Sequence, residues 1–252
     1  MKRRLSGLIG LIALQLVMTL CFTSCDALTE IGYMLGDEFG AMLEDILGGE
    51  PEVNVPSVDM DSIPPFEDSP YVIINDNIPF FEDSEKVTES YEYFSPLDSL
   101  GRCGVTIACI GIDLMPTEDR ESIGSVKPSG WQSVKYDCVD GKYLYNRCHL
   151  IGFQLTGENA NKQNLITGTR YMNVEGMLPF EDMVADYVKE TENHVMYRVT
   201  PIFDGDNLVA NGVLIEAYSV EDNGDGICFN VYVYNNQPGI IIDYSNGDSR
   251  EE

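Results

Sequence analysis

A single helix-period stripe stands between two stretches of strand-like sequence, and that order limits the fold more than any other feature. Phe180, Met183, Val184, Tyr187 and Val188 recur at the spacing that puts apolar side chains on one helix face. Pro179 suits the first turn of that helix. Before it lie strand candidates at residues 71–74 and 104–112, and after it at 195–202, 208–220 and 227–234. Strands, one helix, then strands predicts an α+β fold built on an antiparallel sheet.

Between these landmarks, residues 134–139 alternate in polarity, Asp140-Gly141 can turn the chain, and residues 142–145 return. Asp-Gly between two alternating runs predicts a hairpin with a type I′ turn. Its outgoing end delivers Asn146-Arg147-Cys148-His149. A polar loop over 157–164 and a short apolar run at 165–167 come next, and Tyr171-Met172-Asn173 fits a helical turn.

The N-terminus reads as a processing segment. Lys2, Arg3 and Arg4 precede an apolar run over residues 5–22, and Thr23-Ser24 lead into Cys25. A basic head before a short apolar stretch is an export signal. It resembles a bacterial lipoprotein signal, in which the cysteine carries the lipid. A cleaved signal or an uncleaved anchor is the alternative, since about 18 apolar residues nearly span a bilayer. The expected organisation is a signal over 1–25, an acidic tether over 26–67, one domain over 68–243 and an acidic tail over 244–252.

Charge constrains the partner. The chain carries 15 Lys+Arg against 42 Asp+Glu, a formal net charge of −27. A basic surface, the usual mark of a nucleic-acid binder, is missing. Eleven of the fifteen cations fall between residues 85 and 202, so a polyanion would have to be met there. Cys103, Cys109, Cys138, Cys148 and Cys228 include no CxxC pair, which argues against a zinc site. Two disulfides or a set of buried free thiols both remain open.

Only two histidines are available for chemistry. His194 follows a charged helix end and reads as a surface or capping residue. Cys148 and His149 are neighbours on an extended chain and point to opposite faces, so they form no nucleophile–base pair. Neither a G-x-S-x-G elbow nor an H-E-x-x-H pair is present.

Residues 143–181 carry a resemblance. Asn146-Arg147-Cys148-His149, then Asn161-Lys162-Gln163-Asn164, then Asn173 and Pro179-Phe180-Glu181, resemble the DNA/RNA non-specific endonucleases. These are ββα-metal (His-Me finger) nucleases, and the likeness is strongest to the streptococcal-type secreted DNases. Their signature is Asp-Arg-Gly-His, so Asn146 stands for the Asp and Cys148 for the Gly; the loop also lacks the family's Pro. The resemblance implies a ββα-metal core, with His149 as general base and Asn173 as the protein ligand of Mg²⁺, or of Mn²⁺ as the alternative. It implies catalytic roles for Arg147, Asn164 and Glu181: transition-state charge, a second site asparagine, and organisation of metal-bound water. The implied substrate is DNA, with RNA left open, and no obligate protein partner.

The physical chemistry agrees with these roles. A neutral imidazole can take a proton from water near pH 7. An amide oxygen is a hard neutral donor, and Mg²⁺ keeps most of its waters, so one such ligand suffices. Plainer readings stand beside them: Arg147 paired with a carboxylate, Asn164 capping its loop, Glu181 serving the helix dipole. Lys127, Lys135, Lys162 and Arg170 could meet phosphates or simply be solvated. The expected protein is an exported or membrane-anchored phosphodiester hydrolase. The alternative is a catalytically impaired nucleic-acid-binding or envelope protein on the same scaffold.

Overall fold

The computed structural model describes residues 62–252. The expected export signal and all but the end of the expected tether lie outside the described residues. A six-stranded antiparallel sheet forms the body. Its strands are β1 (Tyr71–Ile73), β2 (Tyr91–Phe94), β3 (Thr106–Ile110), β6 (Val195–Ile202), β7 (Gly212–Ser219) and β8 (Cys228–Tyr234), in the spatial order β1-β8-β7-β6-β3-β2. β4 (Tyr145–His149) and β5 (Leu165–Thr169) pair separately, as do β9 (Ile240–Asp243) and β10 (Asp248–Glu251). The helices are α1 (Phe153–Thr156) and α2 (Leu178–Thr191). The α+β, antiparallel expectation is met.

Period-two alternation builds the main core. Val195, Tyr197 and Val199 of β6 face the same cluster as Val213, Ile215 and Ala217 of β7. Phe180, Val184, Ala185 and Val188 of α2 close it from above, whereas Met183 points outward, 49 % exposed. The opposite sheet face is also covered. Arg198 lies in register with Glu216, and its Nε donates to Glu216 Oε2 at 2.8 Å. Arg198 Nη1 reaches Glu85 at 3.0 Å, and Glu216 Oε1 accepts the Phe80 N–H at 2.6 Å. This buried pair fastens residues 80–85 over a face that simple alternation would leave to water. Removing either partner of such a pair typically costs about 3–5 kcal/mol.

The expected turn at Asp140-Gly141 forms: the Lys142 N–H donates to Val139 O at 2.8 Å across it, and the arms exchange bonds from Tyr136 N to Lys142 O at 2.9 Å and from Leu144 N to Val134 O at 3.1 Å. The type I′ geometry is what differs: positive φ falls on Gly141 and Lys142 rather than on Asp140 and Gly141, and the arms meet in one antiparallel bridge, Lys135 with Tyr143, rather than a ladder. Burial limits the pairing on either side of the turn. Val139, Leu144, Tyr145 and Ile240 form a second small core, with Trp131, Val134, Tyr136 and Ile242 packed against it. That core needs β9, so residues 244–252 are not a free tail: they carry the turn into β10, and Tyr136 Oη bonds Ser249 Oγ at 2.8 Å. The strand holding His149 pairs instead with β5, giving β4–β5 followed by a helical run. That run opens with a π-helical turn, Met172–Met177, where the Leu178 N–H reaches back to Asn173 O. The wide turn ends just before Pro179, whose ring would press on a carbonyl in a regular helix.

Cys148 finds room because of Gly168. It is fully buried behind β4, and a Cβ at Gly168 on the facing strand would strike its sulfur. Gly168→Ala should therefore cost about 1–3 kcal/mol in a denaturant titration. The Cys148→Gly/Gly168→Ala pair should lose at least about 1 kcal/mol less than the two single costs combined.

Candidate active site

His149 is the last residue of β4 and is only 6 % exposed. Its Nε2 lies 2.8 Å from the Asn159 carbonyl oxygen, which can only accept, so Nε2 carries the proton. The lone pair is left on Nδ1. Arg120 Nη2 stands 3.3 Å from that atom and donates to it. Burial, followed by the nearby Arg120 charge, lowers the His149 pKa to about 4, so the ring is neutral through the physiological range.

His149 borders a cleft of about 650 Å³, also lined by Arg120, Trp131, Asn146, Arg147, Asn173 and Glu181. The π-helical turn supplies Asn173, and its side chain makes no hydrogen bond among the described residues. Glu181, in the first turn of α2, points at Gly152, where any side chain would collide with its carboxylate. Burial first, and Asp182 second, push its carboxyl up to about 8, opposed by Arg120 and Gln154.

Four expected residues thus share one cleft: His149, Arg147, Asn173 and Glu181. Asn164 does not join them. It is fully buried, its Oδ1 accepts the Ile151 N–H and its Nδ2 donates to the Ile151 carbonyl, both at 2.9 Å. Its expected catalytic contact is corrected to a clamp on the chain just beyond His149, the plainer of the two readings. Arg147 is also largely committed. Its Nε donates to Val126 O, its Nη2 to Gly124 O at 2.9 Å, and its guanidinium lies 4.1 Å over the Trp131 ring. It fastens the loop around residue 126 to the cleft wall. His194 pairs with Glu221 at 2.6 Å, as a surface residue should.

A model of the DNA/RNA non-specific endonuclease domain matches residues 82–221, more than half of the chain. The chain belongs to the DNA/RNA non-specific endonuclease family. A deoxyribonuclease of Streptococcus dysgalactiae subsp. equisimilis is 33% identical over 111 residues, 42% of this chain and 32% of that protein. The chain therefore spans about a third of that relative's length. NucA from Streptococcus agalactiae, solved with a magnesium ion bound, shares the fold with a TM-score of 0.65 at 23% identity, over 86% of this chain and 96% of that one. Sda1 nuclease, solved with a bound zinc ion, matches with a TM-score of 0.63 at 27% identity, over 73% and 97%.

Two groups that face the His149 ring escaped the sequence. Arg120 sits in an acidic irregular segment with no period to flag it. Asn159 acts through its backbone carbonyl, which no side-chain pattern reports. With its amide oxygen toward the Glu121 N–H, Asn159 also accepts there and donates to Glu121 O, both at 3.2 Å. One residue therefore orients the imidazole and tethers the loop carrying Arg120. The two departures from the family signature are separable. Cys148 packs into the core, whereas Asn146 borders the cleft and has a buried Nδ2 with no partner among the described residues.

Two buried groups tilt stability in opposite directions with pH. The unfolded chain protonates His149 near 6.5 and the native one only near 4, so the native state loses ground as pH falls through that window. Measured against His149→Asn, wild type should lose up to about 3 kcal/mol between pH 6.5 and 4 and nothing further above 6.5. Glu181 has a raised native pKa, so wild type should lose stability against Glu181→Gln as pH rises from 4.5 towards 8. Denaturant midpoints across pH for the three proteins read both slopes.

Proposed function

We propose that the protein is an exported, metal-dependent endonuclease that hydrolyses phosphodiester bonds of DNA, and of RNA where the strand fits. The observation that carries this reading is the His149 geometry: Nε2 held as a donor by a carbonyl, Nδ1 left as the base, in the cleft that also holds the uncommitted Asn173.

The donor set suits a hydrated hard cation. Asn173 offers a neutral amide oxygen, Glu181 stands in the same cleft to receive hydrogen bonds from coordinated water, and no group of three or more His, Cys, Asp or Glu forms a cage among the described residues. Mg²⁺ held there, or Mn²⁺ in its place, would neutralise the scissile phosphate and stabilise the leaving 3′ oxygen. His149 Nδ1 takes a proton from water, and the water oxygen forms a bond to phosphorus as the bond to the 3′ oxygen breaks. Arg120 leaves Nδ1 for the phosphate when substrate enters, which frees the lone pair and brings positive charge to the transition state. Arg147 adds to the positive field from the cleft wall. Contacts of this kind reach phosphates rather than base edges, so cleavage is sequence-tolerant. Export rests on the basic head at Lys2–Arg4, the apolar run that follows and Cys25.

Plasmid nicking with Mg²⁺, with and without chelator, tests the reading. Chelator should abolish nicking, and His149→Ala should lower the rate by about 10²–10⁴. Asn173→Ala should lose activity with partial recovery at high Mg²⁺. Undiminished nicking by His149→Ala would remove the base assignment, and a wild type that binds DNA without nicking it would favour the impaired-scaffold reading.

A further inference from the structure

A second depression lies beside the cleft, between residues 135–142 and the β9–β10 hairpin. Lys135, Tyr136, Lys142, Ser249 and Arg250 line it, with Asp137 and Glu251. Tyr143 joins the two surfaces: it lines the cleft, is 50 % exposed, and carries the Lys135 ammonium 4.2 Å from its ring centroid.

Several cations elsewhere are already spent on carboxylates. Lys86 is paired with Asp83, Arg102 with Asp98, and Arg198 with Glu216 and Glu85. Among the described residues, Lys135 and Arg250 form no ion pair with a carboxylate. Lys142 does pair with Asp137, at 2.8 Å, but both side chains are well exposed, and such a pair holds weakly. Glu251 is the one other acid lining the depression, which also holds Lys135 and Arg250. On a chain of net charge −27, the lining of this depression carries three cations against two acids.

We propose that this depression extends the substrate track, contacting backbone phosphates of the polynucleotide that flanks the scissile bond. The proposal rests on the nuclease reading above. Lys135 and Arg250 supply the phosphate contacts, and the exposed Tyr143 ring offers a face on which a base can stack as the strand passes between the two surfaces. A strand reaching both occupies several nucleotides, within the roughly 4–16 typical of one single-strand-binding surface.

Fluorescence anisotropy tests this with labelled oligodeoxynucleotides of about twenty and about four nucleotides. Binding is measured with Mg²⁺ in the His149→Ala background, which keeps the strand intact. Adding Lys135→Ala and Arg250→Ala together should weaken binding of the long strand about three- to tenfold. It should also make the log–log salt dependence shallower by about one to two units. The short strand should change less than about twofold, and Lys189→Ala, outside both depressions, should alter neither. Unchanged affinity and salt slope for the long strand would overturn the track, as would equal weakening at both lengths. Nicking by wild type is read separately. A protein that nicks plasmid yet shows no effect of the pair refutes the track alone. One that binds through the track without nicking refutes the nuclease reading alone. One that neither binds nor nicks refutes both.

Discussion

The hydrogen bond from His149 Nε2–H to the Asn159 carbonyl decides what the rest of the site can be. It selects one tautomer, and with it the one nitrogen able to accept a proton. Everything nearby serves that geometry. β5 supports the strand from one side, Asn164 grips Ile151 two residues beyond the ring, and the Asn159 side chain ties in the segment bearing Arg120. A one-residue slip of β4 against β5 would turn the imidazole to the opposite face, where Cys148 now sits against Gly168. The small residue across the pair thus holds register as well as space.

Electrostatics in the cleft are economical. The overall charge of −27 repels a polyanion, yet the cleft wall presents Arg120 and Arg147, neither of them spent on a carboxylate. Arg147 instead satisfies two backbone carbonyls and an indole face, so its charge stays unneutralised while its position is fixed. The cation site follows the same logic. In the proposed site, a neutral amide ligand would leave most of the ion's charge for the phosphate, and the adjacent carboxyl, reluctant to ionise in a dry site, would gain its charge most easily when a cation is present.

Much of this was legible in the sequence, for identifiable reasons. β6, β7 and β8 are long β-branched or aromatic runs, and the α2 stripe is periodic, so burial and propensity agree there. His149, Arg147, Asn173 and Glu181 were readable through their order along the chain. What stayed hidden depends on distant partners. Asp140-Gly141 turns the chain as its residues signal, but the second small core claims Val134, Tyr136 and Leu144, so the arms meet in a single bridge rather than a ladder. β10 is a charged four-residue strand ordered by its pairing with β9 and by Tyr136. Asn164 looked like a site residue because its amide was visible and its Ile151 partner was not. Arg120 reaches the imidazole through a loop without pattern.

The indole beneath Arg147 has a further consequence. Trp131 is the chain's single tryptophan, and it forms part of the cleft wall. All tryptophan emission from the molecule therefore originates at the wall of the cleft that His149 borders. The protein carries its own optical gauge of what enters that space, with no dye to attach and no background from a second indole.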